Sequence, residues 1–470
     1  LGLLRTVVPA APDAWITVLE NYGTMSFGEV ASSAIKYARE GITVHPTMSN
    51  FLSRYQENYR MWPSNSNIWQ KNGSPLEVGD LLIQTDLAAS IQFMADQEAA
   101  AMKDGREKGL KAARDAFYIG DIAREIVKYH KENGGLMTAD DMASYRTPIE
   151  KPLSVNFRGT EVYSCRPWCQ GPVLLQMLNM LNDIDLNAMG HNSTDYIHYL
   201  AETVKLSFAD RERYYGDPNF VDVPIEKLLS SEFAKQRQEQ INPRKAWPQM
   251  PPAGEIDGFG GISFRSDVNS GASFSEPDTS YTCTMDQKGN VCSITPSDVS
   301  FESPVIPGLG FCPSARGSQS FAVRGHASEI APGKRPRLTP NPAMALRRNQ
   351  FVMPFGAPGG DTQPQGMLQV ILNHLVFGMD IQSSIEAPRF STHSQPNSFE
   401  PHESKPGRLA IEEDIDQEIG ETLSDLGHDV EWLPSRSDAV AGVCAISANL
   451  ETKTITGGAD PRRSGRAMGW

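Results

Sequence analysis

The chain has 470 residues, with 43 Lys and Arg against 57 Asp and Glu, and a formal net charge of −14. So acidic a chain lacks the basic footprint that binding to nucleic acid or to an anionic membrane requires, and no nucleic-acid partner is expected. Hydrophobic residues make up 39%, enough for a large buried core, and the absence of low-complexity tracts excludes global disorder. No apolar run approaches the ~18 residues of a membrane-spanning helix. Leu1 is not a Met, so any signal peptide would precede it. A cytoplasmic location is the first expectation, with a secreted or periplasmic one left open. Six cysteines are too sparse for a disulfide scaffold. Cys165 and Cys169 have no His or second Cys pair at zinc spacing, so all six are expected as free thiols or core residues.

In chain order, Ser26 and Glu29 stand at capping-box spacing before a helical run to Tyr37, with Gly41 as the stop. Residues 86–102 read as a second helix. Residues 115–134 read as a third, with Ile119, Ile122, Ile126 and Val127 at helical spacing. Thr138 to Asp141 opens another, and 153–163 alternates like a strand pair. Residues 172–186 are strongly apolar on one face, 194–215 form a long amphipathic candidate, and 238–261 read as a surface linker rich in Pro and Gly. The character of the chain changes near residue 275. Residues 280–285 and 290–295 read as short strands joined by the turn Asp286-Gln287-Lys288-Gly289-Asn290. Further strands at 351–355 and 440–447, the latter pairing with 454–456, bracket helices at 363–377 and 415–426. The expectation is a sheet layered by helices.

Two local features carry chemistry. Thr279 stands where a Pro-containing segment, Glu276-Pro277-Asp278, becomes a strand. Residues Pro354 to Asp361 form a glycine-rich turn between a strand and an apolar helix, where adjacent backbone N–H groups can stabilise an oxyanion. Each alone is weak: a Thr in a strand is ordinary, and Gly-Gly before a helix is often only a tight turn.

Together with motifs along almost the whole chain, these segments resemble the γ-glutamyltranspeptidase family of N-terminal-nucleophile hydrolases. The ordered set comprises Tyr22-Gly23-Thr24-Met25 with Ala38-Arg39-Glu40-Gly41, Gly134-Gly135-Leu136-Met137-Thr138, Gly171 to Asn179, Ala209-Asp210-Arg211 and Gly216-Asp217-Pro218. Asp278-Thr279, Lys334-Arg335-Pro336, Ala357-Pro358-Gly359-Gly360, Ala387-Pro388-Arg389-Phe390 and Gly457 to Arg462 complete it. The resemblance implies an α+β fold, a four-layer αββα sandwich. It implies a precursor that cuts itself between Asp278 and Thr279, leaving 1–278 as the larger chain and 279–470 as the smaller. Thr279 would then be the nucleophile and its new α-amino group the base. A weak hydroxyl nucleophile needs such a partner, and an α-amine titrating at about 7.7–8.0 is useful at neutral pH. Position by position, the resemblance makes Gly359 and Gly360 the oxyanion donors and Ser280 the residue after the nucleophile. It makes Ser297 the hydroxyl beside the nucleophile, and Thr339 the second of two adjacent hydroxyl positions, with Leu338 at the first.

The implied partners are a small-molecule amide and the other half of the processed precursor, with a homodimer left open. No metal or organic cofactor is implied. The resemblance also implies a segment before Leu1 that supplies a strand, a helix and an Arg for the substrate α-carboxylate. Where γ-glutamyl enzymes of the family hold the substrate ammonium with an acid, the loop Cys312 to Phe321 offers Gln319, and Val299 replaces a nearby Asn. Arg316 adds a cation, and Phe301 to Gly310 is similar to the acylase and amidohydrolase branches. An amide whose acyl group carries a carboxylate but no α-ammonium is therefore the expected substrate, with an ion pair inside the protein as the other use of Arg316. Three alternatives stand beside this: a true γ-glutamyl transferase or glutathione hydrolase, an inactive unprocessed relative, and a hydrolase pairing Cys165 or Cys169 with His130 or His198.

Overall fold

The computed structural model describes residues 1–265 and 279–470, so the Asp278 side of the expected cleavage bond lies outside the described residues. Two compact units interleave along the chain: residues 1–149 with 298–318, and residues 150–297 with 319–470. Each therefore draws on sequence from before and after position 278.

The first unit is helical. Its helices include α1 (Ala11–Tyr22), α2 (Phe27–Glu40), α3 (Thr85–Ala101), α4 (Arg106–Tyr118) and α5 (Asp121–Glu132). The expected capping box opens α2: Ser26 accepts from Glu29 N, and Glu29 returns a bond to Ser26 N. A second anion supports that end. The buried Glu98 takes the N–H groups of Phe27 and Gly28 at 2.7 Å each, which satisfies orphan donors and complements the helix dipole. Phe27, Ile35, Met94, Leu110, Phe117, Ile122 and Ile126 form the core. Residues 298–318 join this unit through aromatic packing, with Phe301 stacked on Tyr55 at 3.8 Å and Phe311 on Phe117 at 5.7 Å. The single helix expected over 115–134 is two. The amides of Ile119 and Gly120 both return to the Asp115 carbonyl at 2.9 and 2.7 Å, which ends α4 and leaves Ile119 exposed. A glycine tolerates the break.

The second unit is α+β. Its elements include β1 (Leu153–Phe157), β2 (Thr160–Ser164), α6 (Gly171–Leu181), α7 (Thr194–Tyr214), β3 (Thr282–Met285), β4 (Val291–Ile294), β5 (Ala343–Arg347), β6 (Phe351–Gly356), α8 (Gln363–Leu375), β7 (Phe390–Thr392), β8 (Arg408–Glu412), α9 (Gln417–Asp425), β9 (Asp429–Leu433), β10 (Cys444–Asn449) and β11 (Thr454–Ala459). An antiparallel six-stranded sheet runs β11-β10-β6-β5-β2-β1. A smaller sheet runs β7-β8-β9, the last pair parallel. Alternation along β6 assigns its two faces. Met353 and Phe355 enter the main core with Val173, Leu174 and Leu178 of α6 and Leu368 and Ile371 of α8. On the opposite face, a Cβ built on Gly356 would sit 2.3 Å from Cε2 of Tyr281, so the β3–β4 hairpin covers that side. Helices α6 and α8 thus pack on one face of the sheet and the hairpin on the other.

Two expectations are corrected here. Helix α7 is not amphipathic in its surroundings: Glu202, Lys205, Asp210, Arg211 and Glu212 are all buried. Each meets an opposite charge inside the protein, so hydropathy misjudges the face they lie on. The segment 238–261 is docked rather than loose, with Ala246, Met250 and Ile256 buried and Gly254 N donating to Asp210 Oδ1 at 2.7 Å. Among the described residues, no helix is long and apolar enough to cross a membrane.

Candidate active site

The β3–β4 hairpin sets the position of Thr279. Its turn is closed by Asp286 N to Asn290 O at 3.1 Å, and Gly289 takes the left-handed φ of +83° that the turn demands. The strands pair Thr282 with Ile294, and the same register continued outward pairs Thr279 with Ser297 in an isolated antiparallel bridge. Their hydroxyls share a hydrogen bond of 2.6 Å. Thr279 is 5% exposed and lies on the half-buried face of the strand with Tyr281 and Cys283, whereas Ser280, Thr282 and Thr284 alternate onto the exposed face. A slip of one residue would turn Thr279 outward. Ser280 therefore faces away from the Thr279 side chain, and its backbone N donates to Pro296 O at 2.9 Å.

Strand β6, whose end packs on Tyr281, leads directly into the glycine-rich turn. Gly359 has φ +122° and Gly360 φ +51°, conformations that favour glycine. A Cβ on Gly359 would also meet Thr362 Oγ1 at 2.7 Å and Ala441 Cα at 3.1 Å. The Gly359 carbonyl accepts from both Thr362 N at 2.9 Å and Thr362 Oγ1 at 2.7 Å, which starts the helical path into α8. At such a start the first N–H groups have no acceptor within the helix, so an anion is favoured there.

Beside this turn lies Thr339, fully buried. Gln319 donates through Nε2 to Thr339 Oγ1 at 3.3 Å, and Gln319 is itself fully buried. Three further residues, which the sequence reading passed over as parts of a site, support the turn. Gln170 donates to Gly360 O at 2.7 Å and to Thr339 O at 2.8 Å. Arg211 donates to Gln170 Oε1 at 3.2 Å and pairs with Asp361 at 2.5 Å. Gln170 carries no local signal; Arg211 and Asp361 fall inside the runs Ala209-Asp210-Arg211 and Pro354 to Asp361, where nothing local names their partners. Next to them, Arg337 and His326 meet Glu212 at 2.8 and 2.9 Å. Burial works against the Glu212 charge, but Arg337, His326 and Arg211 outweigh it and hold the carboxyl at about 2.

Arg316 belongs to the first unit. It is 4% exposed, and its Nε lies 3.8 Å from Asp298 Oδ1, so the ion pair weighed for it has a partner. All six cysteines are free thiols. The cysteine-hydrolase alternative loses His198, whose Nδ1 meets His428 Nε2 at 2.9 Å and whose Nε2 meets the Asn242 carbonyl at 2.8 Å. His198, Glu202 and His428 cluster like metal ligands. Glu202, however, already takes the Lys205 ammonium at 2.7 Å and Trp247 N at 3.0 Å. Lys205 supplies the cation, and the cluster is a buried hydrogen-bond network.

The relatives of this chain place it among enzymes of the hydrolase or transferase type. The family model described as gamma-glutamyltranspeptidase matches residues 1–470, and the chain belongs to that family. It is 30% identical over 467 residues to a glutathione hydrolase proenzyme of Bacillus subtilis (strain 168), covering 98% of this chain and 74% of that one. It is 31% identical over 470 residues to the acylase ACY 1 proenzyme of Pseudomonas sp. (strain SE83), covering 99% of this chain and 75% of that one. The crystal structure of cephalosporin acylase from Bacillus halodurans superposes with a TM-score of 0.84 at 26% identity, covering 100% of this chain and 79% of that one.

Proposed function

We propose that the chain is a self-processing amide hydrolase whose Thr279 heads the 279–470 product and forms an acyl-enzyme with its substrate. The observation that carries this reading is the part-buried hydroxyl pair, Thr279 Oγ1 to Ser297 Oγ at 2.6 Å, in a chain whose relatives are named as proenzymes. For processing, the Thr279 hydroxyl attacks the Asp278 carbonyl carbon, the C–N bond breaks, and water resolves the resulting ester. This leaves the Asp278 carboxylate and a free α-amine on Thr279. In turnover that amine takes the hydroxyl proton as the oxygen attacks the substrate carbonyl, then returns it to the departing amine. Gly359 and Gly360 donate to the tetrahedral oxyanion. Ser297 orients the nucleophile. The division at 278/279 and the four-layer sandwich, with the hairpin belonging to the second sheet, are part of the same reading. A crystal structure of the processed protein with a single sheet layer at Thr279 would sink the sandwich.

The acyl group is read as one with a carboxylate and no α-ammonium. Sequence identity does not choose between the glutathione hydrolase and acylase relatives, which are equally distant. Gln319 does choose. Its neutral amide is buried against Thr339, and an ammonium desolvated beside it without an opposite charge loses ~1–3 kcal/mol. The role of Arg316 as cation for the acyl carboxylate rests on the sequence alone.

Intact mass and N-terminal sequencing of the denatured protein test the processing step, with a chain beginning at Thr279 expected. Paired assays of glutaryl and γ-glutamyl p-nitroanilides, which differ only in the α-amino group, test the substrate. A clear preference for the γ-glutamyl compound returns the protein to the ordinary transpeptidases.

A further inference from the structure

The glycine turn is held by a side chain that belongs neither to it nor to the hairpin. Gln170 immediately precedes α6 and is 1% exposed. A carboxamide offers two N–H donors and one acceptor oxygen, and Gln170 uses all of them. Nε2 donates to Gly360 O at 2.7 Å and to Thr339 O at 2.8 Å, and Oε1 accepts from Arg211 Nη1 at 3.2 Å. The amide has one workable orientation, because a flip would set its oxygen against two carbonyls and its NH2 against a guanidinium. Arg211 is itself fixed by Asp361 at 2.5 Å and Ser398 Oγ at 3.1 Å. Asp361 also accepts from Ser398 N at 2.8 Å and Ser398 Oγ at 2.6 Å. Asp361 follows Gly360 directly, so the backbone leaving Gly360 is gripped at its carbonyl by Gln170 and one residue later by Arg211.

Two consecutive glycines are the most mobile backbone a chain can offer. Oxyanion donors work because they are already in place when charge develops. A turn built from Gly359 and Gly360 cannot supply that order from its own side chains. We propose that Gln170 is a positioning residue of the amide-hydrolysis site: it ties the Gly360 backbone to that of Thr339 and so holds the donors of Gly359 and Gly360 in one orientation. This rests on the oxyanion reading of those glycines. A purely structural role, satisfying two buried carbonyls, uses the same bonds, and the kinetics separate the two.

The test uses the full chain carrying Gln170→Met, apolar and of similar length, or Gln170→Glu. The second keeps the shape and the Arg211 pairing but sets a carboxylate against the two carbonyls. Rates on glutaryl and γ-glutamyl p-nitroanilides are divided by the fraction of chain that begins at Thr279, and Thr279→Ala is assayed beside them. The expected result is a fall in kcat of about 10- to 100-fold with KM unchanged, the mark of an interaction that matters only in the transition state. Wild-type kcat in either folded variant, or a loss confined to KM, overturns the clamp. Should Gln170→Met fail to fold, Gln170→Glu decides. An active Thr279→Ala removes the parent reading and the clamp with it. An inactive Thr279→Ala beside a fully active Gln170 variant removes the clamp alone.

Discussion

Two buried guanidinium–carboxylate networks in the second unit use the same chemistry for different ends. In the first, Arg211 pairs with Asp361 and Arg337 with Glu212, and the network ends, through Gln170, on the carbonyls of Gly360 and Thr339. In the second, Arg462 grips Glu412 with two bonds of 2.5 and 2.7 Å and also pairs with Asp460, which binds Arg389. That network ends on Ser437 N, Val443 N and the carbonyls of Ile385 and Ala387, where strands and turns meet at the sheet end. Buried ion pairs are weak evidence of net stabilisation, yet breaking one strands a charge. The difference lies in what each network holds: a glycine turn beside a buried Thr in one case, the frame of the fold in the other.

The largest test of that contrast is Thr279→Ala. It is expected to abolish both turnover and the appearance of a chain beginning at residue 279, while the melting temperature of the protein stays close to that of the unprocessed wild type. A mutant still cut at the same bond would remove Thr279 from the mechanism. The converse is Glu412→Gln. Loss of one partner of the buried Arg462 pair should lower the unfolding free energy by about 3–5 kcal/mol, read by urea titration. The rate per folded, processed molecule should remain that of the wild type. If Glu412→Gln instead slows turnover without loosening the fold, the two networks are not functionally distinct.

Gly359→Ala comes next. Its φ of +122° and the 2.7 Å approach of Thr362 Oγ1 to a new Cβ should displace the turn, and on the proposed oxyanion role the misplaced donor should lower kcat by about 10²–10³. Acid titration probes the first network as a whole. Glu212 is held at about 2 in the fold, below the 4.5 of the free side chain. A depressed carboxyl contributes stability that is fully present above pH 4.5 and lost as pH falls toward 2. The contribution is of order 3 kcal/mol. The melting temperature should drop across that window and flatten in Glu212→Gln; a profile unchanged by the mutation would show that other groups govern acid unfolding. The smallest effect is on specificity. Gln319→Glu places a carboxylate beside Thr339, and the ratio of γ-glutamyl to glutaryl hydrolysis should rise by about tenfold, in line with ~1–3 kcal/mol for a buried partner.

The hairpin at Thr279 and the glycine turn were both legible in the sequence. The turn Asp286 to Asn290 fixes the hairpin register, and that register alone brings Thr279 opposite Ser297. Gly359 and Gly360 announce themselves because only glycine is at ease at their φ values. Strands β5, β7, β8 and β9 escaped notice. The last three belong to a separate small sheet; β7 has only three residues, and Arg408 and Glu412 place charge in β8, a strand that is buried throughout. The single helix over 115–134 failed because periodicity does not register a break at a lone Gly120.

The sequence by itself determined the family, the hairpin that carries Thr279 and the glycine turn, since each depends on neighbours a few residues apart or on an ordered series of motifs. Only the tertiary structure decided which charges of α7 are buried. It also decided that Gln170 holds Gly360 to Thr339 and that Arg316 has Asp298 beside it. The contacts of Arg316 with Asp298 and of Gln170 with Gly360 join residues 18 and 190 positions apart. A buried charge is written like an exposed one, and its environment is settled by partners that local pattern cannot name.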